Sequence, residues 1–227
     1  MELKIIFIFY LYKMKIQVVV INLDRAIDRL KRFSEHASKY NIQFERFSAI
    51  DKYNTELVDN LMKEYEMHIA PQHAACALSH FKVIENFYES DNDYCVIFED
   101  DAQITDGGIM DIPTLIRDTN VSNPDMIFIS DRIFCDDKRR IIGGCGTEGY
   151  ILSKQGAKKL LDNKYNVIYP IDMWFMAATQ QYASRNDEWI VNARQNFKVK
   201  DTCVHAFKTT KPYTKHVDKR KSYLHGP

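Results

Sequence analysis

The sequence predicts a single α/β domain built on a mixed, mostly parallel sheet flanked by helices. Three observations point there. The run Ile16-Gln17-Val18-Val19-Val20-Ile21 is nearly all β-branched, the pattern of a strand covered on both faces. Strand-like and helix-like stretches then alternate with mixed connections. The 227 residues suffice for one sizeable core and fall short of two full domains.

The elements follow in order. Residues 1–13 carry a short apolar run, Ile5 to Leu11, confined by Lys4, Lys13 and Lys15. That run is well below the roughly 18 residues a bilayer span needs. With no small-residue cleavage site after it and a second start at Met14, it reads as a dispensable extension, a membrane-touching anchor being the competing reading. After the first strand, Ile27, Leu30, Phe33, Ala37 and Tyr40 recur on one helical face, with Asp24 as the expected N-cap. Gln43 to Phe47 completes a β-α-β opening, right-handed by the usual rule. Helices are expected over Thr55 to Tyr65 and Gln72 to Tyr88, then a buried strand over Tyr94 to Phe98. Further on, Ile112 to Val121 reads as helix, Asp125 to Ser130 as strand, and Phe134 to Ile142 as a hairpin. Gly143 to Gly146 is a loop, Tyr150 to Leu152 a strand and Gln155 to Leu161 a helix, and another helix begins at Pro170 and runs to about Tyr182. The catalytic domain is expected over 14–197. Residues 198–227 are basic and polar, either a disordered tail or a segment ordered by ligand.

Composition excludes some partners. Lysine plus arginine equals aspartate plus glutamate, 31 each, so no global field recruits nucleic acid or an anionic membrane. The five cysteines are widely spaced without a C-x-x-C pair and read as free thiols, which favours a reducing, cytoplasmic compartment, peripheral membrane contact remaining open.

The sharpest chemical feature is Val96-Ile97-Phe98-Glu99-Asp100-Asp101, a hydrophobic strand that delivers three carboxylates to its C-terminal end. Open α/β sheets bind ligands at that end. If the period of two persists, Glu99 and Asp101 point the same way and make a hard-oxygen site for manganese or magnesium. A solvated acidic turn is the bland alternative.

The ordered succession VVINLDRAIDRLKRF, FERFSAID, ACALSHFKVIENF, CVIFEDDA, GTEGYILSKQGAKKLL and YPIDMWF resembles glycosyltransferase family 25. It runs from Gln17 to Phe175, roughly seven tenths of the chain. That family includes lipooligosaccharide galactosyltransferases and collagen galactosyltransferase domains. The resemblance implies a glycosyltransferase A type fold, Rossmann-like, and a UDP-sugar donor carrying galactose or glucose. It also implies a metal at Glu99 and Asp101, and inversion at the anomeric carbon. The acceptor would be a hydroxyl of a glycan, of lipooligosaccharide or of a hydroxylysine-type protein side chain.

Carried over by position, Asn22, Arg25 and Arg29 match the first-strand motif beside the nucleotide. The two arginines could meet phosphate or ribose, or line an exposed helix face. Asp51 would bond the nucleoside or form an Asx turn. Ser79 and His80 match the serine-histidine pair on the helix before the acidic strand, where a core histidine is the alternative. The family's glycines just before that pair are Ala74 and Ala75 here. Asp100 is assigned to the donor. Glu148 would contact acceptor or act as base, or be a surface carboxylate. Asp172, in a helical first turn that suits an acid, is preferred as general base, since inverting transfer needs base and metal on opposite sides of the sugar. His205 is the candidate third metal ligand, with His216 second. Lys208, Lys211 and Lys215 could close over the diphosphate. Of the competing functions, a non-catalytic sugar-nucleotide or glycan-binding module comes first. A nucleotidyltransferase is disfavoured because Asn22-Leu23-Asp24-Arg25 lacks a phosphate-loop glycine.

Overall fold

The computed structural model describes residues 14–119, 121, 123–179, 187–199 and 203–216, so the N-terminal extension lies outside the described residues. The chain opens as read: β1 (Ile16–Asn22), α1 (Ile27–Lys39) and β2 (Glu45–Ser48) form a β-α-β unit with both strands parallel. Then come α2 (Thr55–Glu64), α3 (Pro71–Glu89) and β3 (Tyr94–Glu99). Pro71 opens α3 at its first turn, where its missing N–H costs nothing. The acidic turn leads into β4 (Ala102–Ile104) and α4 (Ile112–Asp118), which stops three residues short of the expected Val121. Next are β5 (Met126–Phe128), the hairpin β6 (Ile133–Cys135) with β7 (Ile141–Gly144), and β8 (Gly149–Ser153). The helices α5 (Lys154–Leu161), α6 (Ile171–Ala178) and α7 (Glu188–Gln195) follow, with β9 (Ala206–Lys208) and β10 (Thr214–His216) after them.

Six strands make the central sheet in the order β2-β1-β3-β8-β5-β9. Only β8 runs antiparallel to its neighbours, so the sheet is mixed and mostly parallel as expected. Each face carries its own core, and β3 shows why its sequence is apolar throughout. Cys95 and Ile97 pack with α3, α5 and α6 on one face, whereas Val96 and Phe98 pack with Phe33 and Ala37 of α1 on the other.

Three expectations need correction. Asp24 does not cap α1: Ala26 holds the N-cap position without a side-chain bond, and Asp24 instead accepts hydrogen bonds from Arg46 and from Ser48 Oγ (2.8 Å). The helix from Pro170 ends at Ala178, because Thr179 turns extended and bridges to Val204. The stretch after Lys198 is not a tail throughout. Its described part supplies β9 to the sheet edge and β10, which pairs antiparallel with β4. All five cysteines are free, and Cys95 is in the core.

Candidate active site

From β1 the chain crosses through α1 to β2 on one side, then returns through α2 and α3 to β3 on the other. The switch point therefore lies between β1 and β3, where a crevice is expected beyond the strand ends. A cleft opens there, walled by Arg25 and Arg29, by Lys52 after β2, by Cys76, Ser79 and His80 of α3, and by Glu99, Asp100 and Asp101.

The three acids do not act alike. Glu99 ends β3 on the face of Cys95 and Ile97, so its carboxylate meets α3: Oε1 receives Thr147 Oγ1 and lies 3.2 Å from His80 Nε2. Asp100 continues the other face and turns inward to α1, where Arg29 donates to Oδ1 (2.9 Å) and Asn22 Nδ2 to Oδ2 (2.7 Å). Burial, the largest influence, leaves the Asp100 carboxyl above its usual range despite the adjacent Arg29 charge. Removing either member of this buried pair would cost about 3–5 kcal/mol. β3 ends at Glu99, so strand alternation does not carry on to Asp101. That residue sits in the following turn, lines the cleft, and approaches Arg29 at 3.4 Å.

Several residues expected to contact the donor also brace the fold. Asn22 is buried: its amide donates to Asp100 and to the Ala26 carbonyl (3.0 Å), and its Oδ1 accepts from Arg46 Nε (2.8 Å). Ser79 Oγ donates to the Ala75 carbonyl (2.7 Å) and accepts from the Ile50 N–H (2.9 Å), tying α3 to the loop after β2. Arg25 and Arg29 do not form one cationic pair, since Arg25 Nε bonds Asp51 at 2.6 Å. Asp51 also accepts from the Tyr53 N–H (3.1 Å), the Asx-turn alternative. His80 is buried against Tyr150, whose hydroxyl lies 2.8 Å from Nδ1. Burial holds that phenol well above its ordinary range, so we assign Tyr150 as donor to Nδ1 and Nε2–H as donor to Glu99.

The segment Gly146-Thr147-Glu148 latches three groups in succession. The Gly146 N–H donates to Asp172 Oδ2 (3.2 Å), Thr147 Oγ1 donates to Glu99, and Glu148 accepts from Arg132 Nε (3.0 Å) and Nη2 (2.7 Å) as well as from Ser130 Oγ. Glu148 is fully buried in this bidentate pair and presents no oxygen to an acceptor, so the base and acceptor-contact roles expected of it do not fit. Asp172 lies in the first turn of α6, its Oδ1 accepting from the Met173 N–H (2.9 Å). Glu99 and Asp101 line the cleft together with Cys76 of α3, and Asp172 joins the same neighbourhood through the N–H of Gly146, whose next residue holds Glu99.

His205 is not brought to this cluster. It precedes β9, its N–H bonded to Asp125 (2.7 Å) at the strand-start end of the sheet, opposite Glu99. His216 pairs in register with Ala102. Lys211 is engaged by Asp106 (2.5 Å), and Lys208 lies in β9. Reading the sequence missed Thr147, Arg132, Tyr150 and Cys76 as site residues. Three of these lay inside the quoted motifs; nothing around Arg132 gave a signal.

The sheet order and the acid-rimmed crevice define an α/β domain with a mixed, mostly parallel sheet and its candidate site beyond the strand ends. The profile of glycosyltransferase family 25, described as an LPS biosynthesis protein, matches residues 15–175, and the chain belongs to this family. It is 22% identical over 198 residues to a glycosyltransferase 25 family member of Aedes aegypti, covering 76% of this chain and 32% of that protein. It is also 24% identical over 164 residues to the lipooligosaccharide biosynthesis protein lic2B of Haemophilus influenzae, covering 62% of this chain and 60% of that one. The chain thus spans about a third of the mosquito protein and three fifths of the bacterial one. Among solved structures, it is similar to a glycosyltransferase involved in glycosylation of the major capsid of PBCV-1. There the TM-score is 0.44 and the identity 7%, with 91% of this chain and 94% of that one covered. No described helix is long and apolar enough to cross a membrane.

Proposed function

We propose that the protein is a metal-dependent, inverting glycosyltransferase that moves a hexose, galactose or glucose, from a UDP-sugar to a hydroxyl of a glycan or protein acceptor. One observation carries the reading: neighbouring residues Gly146 and Thr147 hold two separated carboxylates, Asp172 and Glu99. Inverting transfer needs that separation, one acid for the attacking hydroxyl's proton and another on the leaving-group side. The lic2B protein's role in lipooligosaccharide biosynthesis supports a glycan acceptor.

A divalent cation fits the donor set. Glu99 and Asp101 both line the cleft and offer carboxylate oxygens, the chemistry that magnesium and manganese prefer. Bound there, the ion would supply charge neutralisation for the departing diphosphate. Asp100 takes no part as ligand, being spent on Arg29 and Asn22, and His205 is too far along the sheet to contribute.

The chain's own groups divide the remaining work. Arg25 and Lys52 give the cleft wall positive charge where a nucleoside diphosphate would lie. Thr147 and His80 fix the Glu99 carboxylate through Oε1, leaving its other oxygen for the cleft. Arg29 orients Asp100 and Asp101 together. Asp172, as general base, takes the acceptor hydroxyl's proton as oxygen attacks the anomeric carbon, while bonding to the nucleotide oxygen breaks.

Manganese-dependent hydrolysis of UDP-galactose or UDP-glucose tests the reading. Asp101→Ala should abolish turnover with the circular dichroism spectrum unchanged, and full turnover would overturn the metal assignment. Asp172→Asn should suppress transfer about 100-fold or more while UDP affinity stays within error. Loss of UDP binding instead would remove Asp172 from the base role.

A further inference from the structure

Cys76 and His80 stand four residues apart on α3, so their side chains fall on one face of the helix, and both line the cleft. One ligand atom from each, together with a Glu99 oxygen, lies within 4.8 Å of the others. The Cys76 thiol makes no hydrogen bond to any described residue, and burial first, then the charges of Glu99, Asp172 and Asp101, hold it well above the ordinary thiol range, so it is protonated until a cation displaces the proton. Behind His80, Tyr150 Oη is bonded to the far ring nitrogen, the kind of outer partner that orients a metal-binding imidazole.

We propose that Cys76, His80 and Glu99 form a second cation site on the cleft wall, selective for a zinc-class ion and exclusive of the hard cation at Glu99 and Asp101. Thiolate, imidazole and carboxylate are the zinc donor set, whereas manganese and magnesium gain little from sulfur. Zinc bond lengths of about 2.0–2.3 Å at tetrahedral angles put donors roughly 3.3–3.8 Å apart. The observed trio must therefore close by about 1 Å, and the unbonded thiol supplies that freedom by rotating. On ligation the thiol proton passes to solvent, and the His80 proton moves from Nε2 to Nδ1, where Tyr150 Oη turns to accept it. The fourth position is open to water or substrate from the cleft. Glu99 cannot serve both ions in one geometry, so zinc displaces the hard cation and inhibits transfer. That consequence rests on the function proposed above; the binding does not.

Cobalt(II) titration of the full chain tests the binding, because thiolate ligation gives an intense near-ultraviolet charge-transfer band. The band should saturate at one cobalt per chain, vanish in Cys76→Ser and survive in Cys145→Ser, which removes an exposed thiol instead. Absence of the band in the wild type, its persistence in Cys76→Ser or its loss in Cys145→Ser would each overturn the site. In manganese-supported transfer, the half-inhibiting zinc concentration should rise about ten-fold or more in Cys76→Ser. An unchanged value would overturn the competition between ions. A chain that turns over no nucleotide sugar yet shows the cobalt behaviour defeats the proposed function and leaves this site standing.

Discussion

Gly146 has φ +112°, and a Cβ there would overlap the Arg132 guanidinium and the Glu148 carboxylate. Only glycine lets the backbone press on that ion pair while its own N–H reaches Asp172. Gly146→Ala should therefore lose about 3 kcal/mol or more in urea unfolding, the scale of a broken buried pair, and lose transfer activity with it; a stability within 1 kcal/mol of wild type would show that the pair is not pinned this way. At this scale the sequence was partly readable. Glu99, Asp101 and Asp172 could be singled out as candidates because acids at the end of a buried strand or in a helical first turn have local signatures, and of these Glu99 and Asp101 line the cleft. Glu148 was misplaced because nothing nearby announces its partner, Arg132, 16 residues away across a hairpin. His205 was misplaced because a histidine among lysines carries no sign of which end of a strand it will occupy.

Elements explain how the acids part company. Strand alternation hands Glu99 to α3 and Asp100 to α1, which is why one meets His80 and the other Arg29. The apolar β3 run made its own burial legible, but the turn after Glu99 breaks the alternation that would have aligned Asp101 with it. Helix positions were legible from their periodicity, and their ends less so: α4 and α6 stop where backbone bonding changes, without a glycine or proline to announce it. α3 is clamped to its neighbours by Glu85, which accepts from Tyr65 Oη (2.8 Å) and pairs with Lys164 (2.5 Å) and Lys82 (3.1 Å). Burial pushes the Glu85 carboxyl up, yet the hydrogen bonds from Lys164, Tyr65 and Lys82 outweigh it and leave the carboxyl below its ordinary range. A depressed acid stabilises the fold above its unfolded pKa, and that contribution fades as pH falls through the folded value. Glu85→Gln should thus cost about 1–2 kcal/mol at pH 7, with the gap to wild type narrowing below about pH 4.5. Denaturant midpoints measured across that range check the sign; a gap that widens in acid would contradict it.

For the molecule as a whole, the α/β class and a ligand crevice beyond the C-terminal end of the acidic strand were legible, because a β-branched run, a helix and a second strand fix the opening topology; that the crevice falls between β1 and β3 follows only from the sheet order. The C-terminal part was not legible as structure. β9 and β10 are three residues each, too short to show a period, and lysines surround them. Their contribution is nonetheless large. β9 covers the edge of β5, β10 pairs with β4 next to the acidic turn, and Thr214 packs against Gly149 at the start of β8. Val204, Phe207 and Tyr213 are each almost fully buried. At about 1.5–3 kcal/mol for each large apolar side chain, their loss alone removes roughly 5 kcal/mol or more, comparable to the whole stability of a typical domain. It would also expose β5 as an unpaired sheet edge, a surface prone to associate. A chain cut after Cys203 should therefore show no cooperative thermal transition and should sediment as aggregate; a monomer that unfolds cooperatively would mean that these strands decorate the domain without completing it.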